Sequence, residues 1–279
     1  MSFIDKLNRF IALYVFVLKK CGRLKTWLPF FLYGILQFLL LLLLVNYVNS
    51  YVYPVLSPII SLFGDIEKQM FHHYPGLYLL LPSVYQWIKI FAGILFEGLA
   101  VGLSVVLFLR IYGAERDEKL RLSFAFRRWL HLIAVWTVIT AILVVVNMYA
   151  PRIFAEQLVA APRRMLAFDI ILRLISVIMY SLFIYAVPAV IVYKNNALRA
   201  LLTSWRLFFR YPVFSFFLAF IPYLLSVPIS YMVGRADAII DKFTPELVFY
   251  LLAIGIALDI IINYVITGTV VKFLLDERK

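Results

Sequence analysis

The sequence predicts an all-α polytopic membrane protein, with six transmembrane helices and amphipathic surface helices on the cytoplasmic side. Three observations predict it. Hydrophobic residues make up 65% of the 279-residue chain and charged residues 15%, with a mean hydropathy of +0.95. A soluble domain is about half apolar and roughly a quarter charged. Apolar stretches of about 20 residues, the length that crosses a bilayer core, recur along the chain. The cations fall in alternate connections between those stretches. This composition excludes a soluble globular domain, a disordered chain and a disulfide-stapled secreted module. The single cysteine, Cys21, cannot form an intramolecular disulfide.

The elements follow in order within one integral membrane domain. Residues 1–26 read as an interfacial helix. Its apolar run, Phe10 to Leu18, is too short to span, and Lys19, Lys20, Arg23 and Lys25 follow it with no A-x-A-like cleavage site. Ser2 and Asp5 have capping-box spacing. The spans are placed at about 27–49, 83–110, 129–149, 167–193, 211–233 and 246–271, with 50–82 as an outer loop. Pro188, Pro222 and Pro228 lie inside spans and predict kinks there.

Charge sets the orientation. The formal net charge is +12, from 27 Lys+Arg against 15 Asp+Glu. Nineteen of those cations lie before span one, between spans two and three, between four and five, and after six. The positive-inside rule then places both termini on the cytoplasmic side. Trp27, Trp129, Tyr193 and Tyr211 mark the inner interface, and Tyr51, Tyr53, Trp87 and Tyr149 the outer one. In this setting the cations suit anionic lipid headgroups and not nucleic acid.

The inner connections carry helical periodicity. Between Asn195 and Arg210, Leu198, Leu201, Leu202, Trp205, Phe208 and Phe209 recur at helical spacing, and Arg199, Thr203, Arg206 and Arg210 form the opposite stripe. That pattern predicts a helix in the headgroup plane. Glu115 to Arg128 is a weaker version. Arg199, Arg206, Arg210, Arg127 and Arg128 are the candidate lipid-headgroup contacts.

The stretch from Val187 to Phe217, VPAVIVYKNNALRALLTSWRLFFRYPVFSFF, has a proline near the end of span four and a short polar turn. A helix containing Ala-Leu…Ser-Trp and a basic–aromatic entry to span five follow. In Pro188, Lys194, Ala200, Leu201, Ser204, Trp205 and Arg210 it resembles bacterial six-span integral membrane proteins of unknown function. These are similar to the membrane domain found beside some glycerophosphodiester phosphodiesterases. The resemblance covers about 30 residues plus the span plan, and it implies architecture only. The phosphodiesterase chemistry of those families belongs to a separate soluble domain, so no catalytic residue carries over.

Ionisable groups at mid-membrane cost roughly 2.5–3.5 kcal/mol each on insertion scales. Glu97 and Asp259 lie near the middle of spans two and six, Gln37 in span one, and Asn263 one turn after Asp259. Arg173 lies in the outer half of span four with Asp169 one turn above it, and Lys89 is near the outer end of span two. One reading is a buried polar network of Glu97, Asp259, Arg173, Asp169, Gln37 and Asn263 that selects helix partners. The other is a carboxylate pair taking up protons or a cation, because apolar surroundings favour the protonated carboxyl. The Gly98-x-x-x-Gly102 pair and Gly255 predict close contact between spans two and six.

No catalytic motif, cofactor fingerprint or metal-ligand spacing occurs. There is no H-E-x-x-H, G-x-S-x-G or Walker A sequence. His72 and His73 are adjacent and point apart on a regular element. The expectation is a non-enzymatic inner-membrane protein that handles lipids or scaffolds a membrane complex. Its partners are then membrane lipids and either another membrane protein or a second copy of itself. The alternative is a proton- or ion-coupled secondary transporter using the mid-membrane carboxylates.

Overall fold

The computed structural model describes residues 3–64, 69–113, 121–153 and 162–278, and every regular element among them is helical. Among the described residues five helices are long and apolar enough to cross a membrane, which makes this an all-α polytopic membrane protein. A sixth crossing exists if one sharply bent helix pair counts as a single span.

The chain opens with α1 (Phe3–Lys19) and α2 (Leu24–Val45). Inside the predicted outer loop stands α3 (Tyr53–Ile60), which buries Leu56 and Ile60. Span two begins earlier than the sequence suggests, with α4 (Gly76–Ala92). It continues through one π-helical turn (Gly93–Glu97) into α5 (Gly98–Ile111). The short α6 (Ser123–Arg127) precedes α7 (Trp129–Ile153) and α8 (Pro162–Phe183). Span four then breaks at Ile184 and Tyr185 and resumes as α9 (Ala186–Val192). The break precedes Pro188, whose missing N–H and ring disfavour a continuous helix through that turn.

After α10 (Ala197–Arg210) the chain bends by 104° into α11 (Pro212–Leu224). The sequence places one span at 211–233, but the helix stops after Leu224 and restarts as α12 (Val227–Val233). Pro228 occupies the first turn of α12, where a proline is tolerated because that N–H has no helical partner. Pro222 stays inside α11 without ending it. The short α13 (Ala236–Lys242) leads to α14 (Leu247–Glu277), six residues longer at its C-terminal end than the predicted span. Ser2 of the expected capping box, and residues 115–120 of the weaker amphipathic stretch, lie outside the described residues.

The chain divides into two compact units. The first holds residues 1–29, 94–223 and 263–279. Its centre is α9, buried along its whole length and packed on α5, α7 and α10. Phe108, Leu132, Tyr185 and Phe273 are buried around it. Trp27 stacks on Tyr264 at 3.9 Å with the rings 7° from parallel, and Thr26 Oγ1 donates to the Tyr264 hydroxyl at 3.3 Å. The second unit holds residues 30–93 and 224–262. Leu41 and Leu44 of α2, Ile60 of α3, Leu81 of α4 and Val248 of α14 form its core.

Candidate functional site

The polar residues singled out in the spans resolve into pairs. In the first unit, Asn263 Nδ2 donates to Glu97 Oε1 at 3.1 Å, joining α14 to the π-helical turn of span two. Arg173 Nε donates to Asp169 Oδ2 at 3.0 Å, one turn apart on α8. In the second unit, Lys89 donates to Asp259 across α4 and α14. Gln37 is buried in α2 of that unit. Glu97 and Asp259 therefore have different partners in different units. Lys89, which the expected network left out, is the partner of Asp259. Its spacing from Ser83 and Gln86 (six and three residues) puts all three on one face of α4, a signal readable from the sequence.

Spans two and six do meet, through Glu97 and Asn263 and through Phe108 beside Tyr264. The glycine pair expected to bring them together faces elsewhere. A Cβ at Gly98 would stand 3.1 Å from the Leu132 carbonyl oxygen of α7, and one at Gly102 would stand 2.8 Å from the Leu132 Cδ1. Gly255 lies beside Ile229 of α12. Small residues let two backbones approach, but pattern alone does not name the neighbour.

Two features remain that could engage a ligand. The first is α10. Asn196 caps it by accepting from the Arg199 N–H at 2.9 Å. The helix has three faces where the sequence suggests two. Its buried face is the small one, Ala200 and Ser204. Ser204 Oγ donates to the Leu182 carbonyl at 2.8 Å and accepts from the Tyr185 N–H at 3.3 Å, at the break in span four. A second face, Leu198, Leu202, Trp205 and Phe209, is exposed. The third, Arg199, Arg206 and Arg210, is exposed and runs beside it. Arg210 also lies 3.6 Å from Glu277. Of the other two candidate headgroup residues, Arg127 is exposed. Arg128 turns inward, donating to the Asn195 carbonyl at 3.1 Å and covering the Phe124 ring.

No protein-family model, curated protein or solved structure matches the chain.

The second feature is a 720 Å³ crevice in the second unit, walled by α4, α12, α13 and α14. Lys89 and Asp259 belong to its lining, and their side chains are 36% and 29% exposed. By contrast, Asn263 lines only a 20 Å³ void with Trp136 and Tyr180 in the first unit. That void has room for about one water molecule. Among the described residues no three His, Cys, Asp or Glu side chains converge as metal ligands would.

Proposed function

We propose that this is a non-catalytic integral protein of the bacterial cytoplasmic membrane that handles lipids or scaffolds a membrane complex, with both termini on the cytoplasmic side. One observation carries the reading: α10 leaves an apolar stripe and an arginine stripe exposed side by side, and turns 104° into α11. A helix built this way suits the bilayer surface, with Trp205 and Phe209 among acyl chains and the guanidinium groups at phosphate level. The lipids implied are anionic. The resemblance of residues 187–217 to bacterial six-span membrane proteins agrees with this reading and supplies no activity.

The test is a triple variant, Arg199→Gln, Arg206→Gln and Arg210→Gln, purified with its bound lipids. Each cation near an anionic surface contributes roughly 1 kcal/mol, so three removals weaken retention of phosphatidylglycerol by about 100-fold at most. Retention equal to that of the parent would overturn the proposal.

A second reading is a proton- or ion-coupled transporter using Glu97 and Asp259. The crevice reaching Asp259 favours it. It requires that Glu97→Gln with Asp259→Asn abolish coupled flux in a folded protein, and undiminished flux would remove it.

A further inference from the structure

The crevice of the second unit has an ordered polarity. Along α4 its lining runs Leu79, Pro82, Ser83, Gln86, Lys89, about 15 Å of helix. The facing wall runs from Ser226 through Ser230 on α12 to Asp237 on α13. α14 closes it with Leu251, Leu252, Gly255, Ile256 and Asp259. Lys89 and Asp259 place a cation and a carboxylate together in this lining. Elsewhere in it hydroxyls and an amide alternate with aliphatic side chains. Its volume falls within the range of about 300–1,000 Å³ that ligand sites occupy.

An ion pair whose charges are partly open can exchange partners with a ligand, whereas one sealed by packing cannot do so without leaving a buried charge uncompensated. Lys89 and Asp259 both line the crevice, and their side chains are 36% and 29% exposed. An incoming lone anion would take Lys89 and leave Asp259 uncompensated, and a lone cation would do the reverse. Only a ligand carrying both charges a few ångströms apart satisfies both floor groups at once. The aliphatic wall requires that the rest of the ligand be apolar or small.

We propose that this crevice binds a phosphate ester of a primary amine, with the phosphate on Lys89, the ammonium on Asp259, and the aliphatic wall against the remainder of the molecule. The chemistry is that of an ethanolamine phospholipid headgroup or of free phosphoethanolamine. A quaternary ammonium is a poorer fit, since it has no N–H to donate to the Asp259 carboxylate. The site is separate from the arginine stripe of α10, and it stands or falls independently of the proposal made for that helix.

The test uses the full chain in nanodiscs of equal phosphatidylethanolamine, phosphatidylglycerol and phosphatidylcholine, with retained lipid counted by native mass spectrometry. Phosphatidylethanolamine is expected to be retained at least fivefold over phosphatidylcholine. The Lys89→Met, Asp259→Asn double variant, which removes both charges together, is expected to bring that ratio to within twofold of one. Ser230→Phe fills the wall, keeps the ion pair, and is expected to do the same. If the parent shows no lipid preference but is stabilised against heat by millimolar phosphoethanolamine in detergent, the free ester is the ligand. No preference together with no stabilisation overturns the proposal, as does a preference that survives in both variants. Phosphatidylglycerol retention by the α10 arginine variant, measured in the same discs, reports separately on the surface helix.

Discussion

The indole Nε1 of Trp129 donates a 2.8 Å hydrogen bond to the carbonyl oxygen of Leu95, inside the π-helical turn of span two. A π turn widens the backbone and displaces a carbonyl from its ordinary helical partner. In hydrocarbon no water can take that partner's place. Trp129, the first residue of α7, brings an indole donor to that carbonyl, and its ring lies over Phe96 at 6.4 Å. The residue read from sequence as an interfacial aromatic is thus also a backbone cap. Replacing Trp129 by Phe keeps the ring and removes the donor, at a cost of about 1–2 kcal/mol. Thermal unfolding in detergent measures this, and a parent-like midpoint would mean that the Leu95 carbonyl has another donor.

The two glycines of span two are expected to differ in tolerance. At Gly98 an added methyl meets the Leu132 backbone oxygen at 3.1 Å, which can yield only if α7 moves. At Gly102 it meets the tip of the Leu132 side chain, which can rotate away. Alanine also gains about 1 kcal/mol over glycine in helix propensity. Gly98→Ala should therefore destabilise by about 1–2 kcal/mol net of that gain, and Gly102→Ala should be close to neutral. Paired melting curves decide the order, and the reverse order would contradict this packing.

Ser204 fastens the surface helix to the break in span four. Its hydroxyl takes the Leu182 carbonyl and the Tyr185 N–H, two backbone groups at the interruption. Ser204→Ala removes the hydroxyl without adding bulk and strands both, at about 1–3 kcal/mol. Loosening α10 should also speed tryptic cleavage at Arg199 and Arg206. Cleavage kinetics matching the parent would show that the helix is held by other contacts.

Cys21 offers a built-in reporter of sidedness. Burial pushes its thiol pKa up, partly opposed by a hydrogen bond with Tyr264. A raised pKa means less thiolate at neutral pH, so maleimide labelling should be slower than for a free thiol of pKa about 8.5 and should accelerate as pH rises past that value. A membrane-impermeant maleimide should reach it only from the cytoplasmic face. Labelling of sealed, right-side-out cells would reverse the topology read from the cations.

The run from Leu28 to Val45 needs no neighbour to be recognised as a span, because length and transfer free energy alone determine that it is stable in a bilayer. The interruption near Pro228 is equally local, since a proline lacks the donor that a continuous helix requires. Periodicity also placed a helix over Ala197–Arg210 and named its arginines. It did not separate the three faces, because Ala200 and Ser204 carry little hydrophobic signal and are buried for being small. The division of span five between α11 and α12, at Leu225 and Ser226, is that same interruption near Pro228, whereas Pro222, equally a proline inside an apolar span, does not end α11.

Pairing is where local information ends. Lys89, Glu97, Asp259 and Asn263 were all visible as polar residues in apolar helices, and each had to find a partner at the cost of desolvation. Which partner depends on the rotation and offset of one helix against another, and those are settled by the close packing of side chains far apart in the chain. Hydrophobic length made this polypeptide a membrane protein, and its prolines broke the spans. Only the packed helices could bring Lys89 to Asp259 and Asn263 to Glu97, because that choice is made by contacts between segments some 170 residues apart.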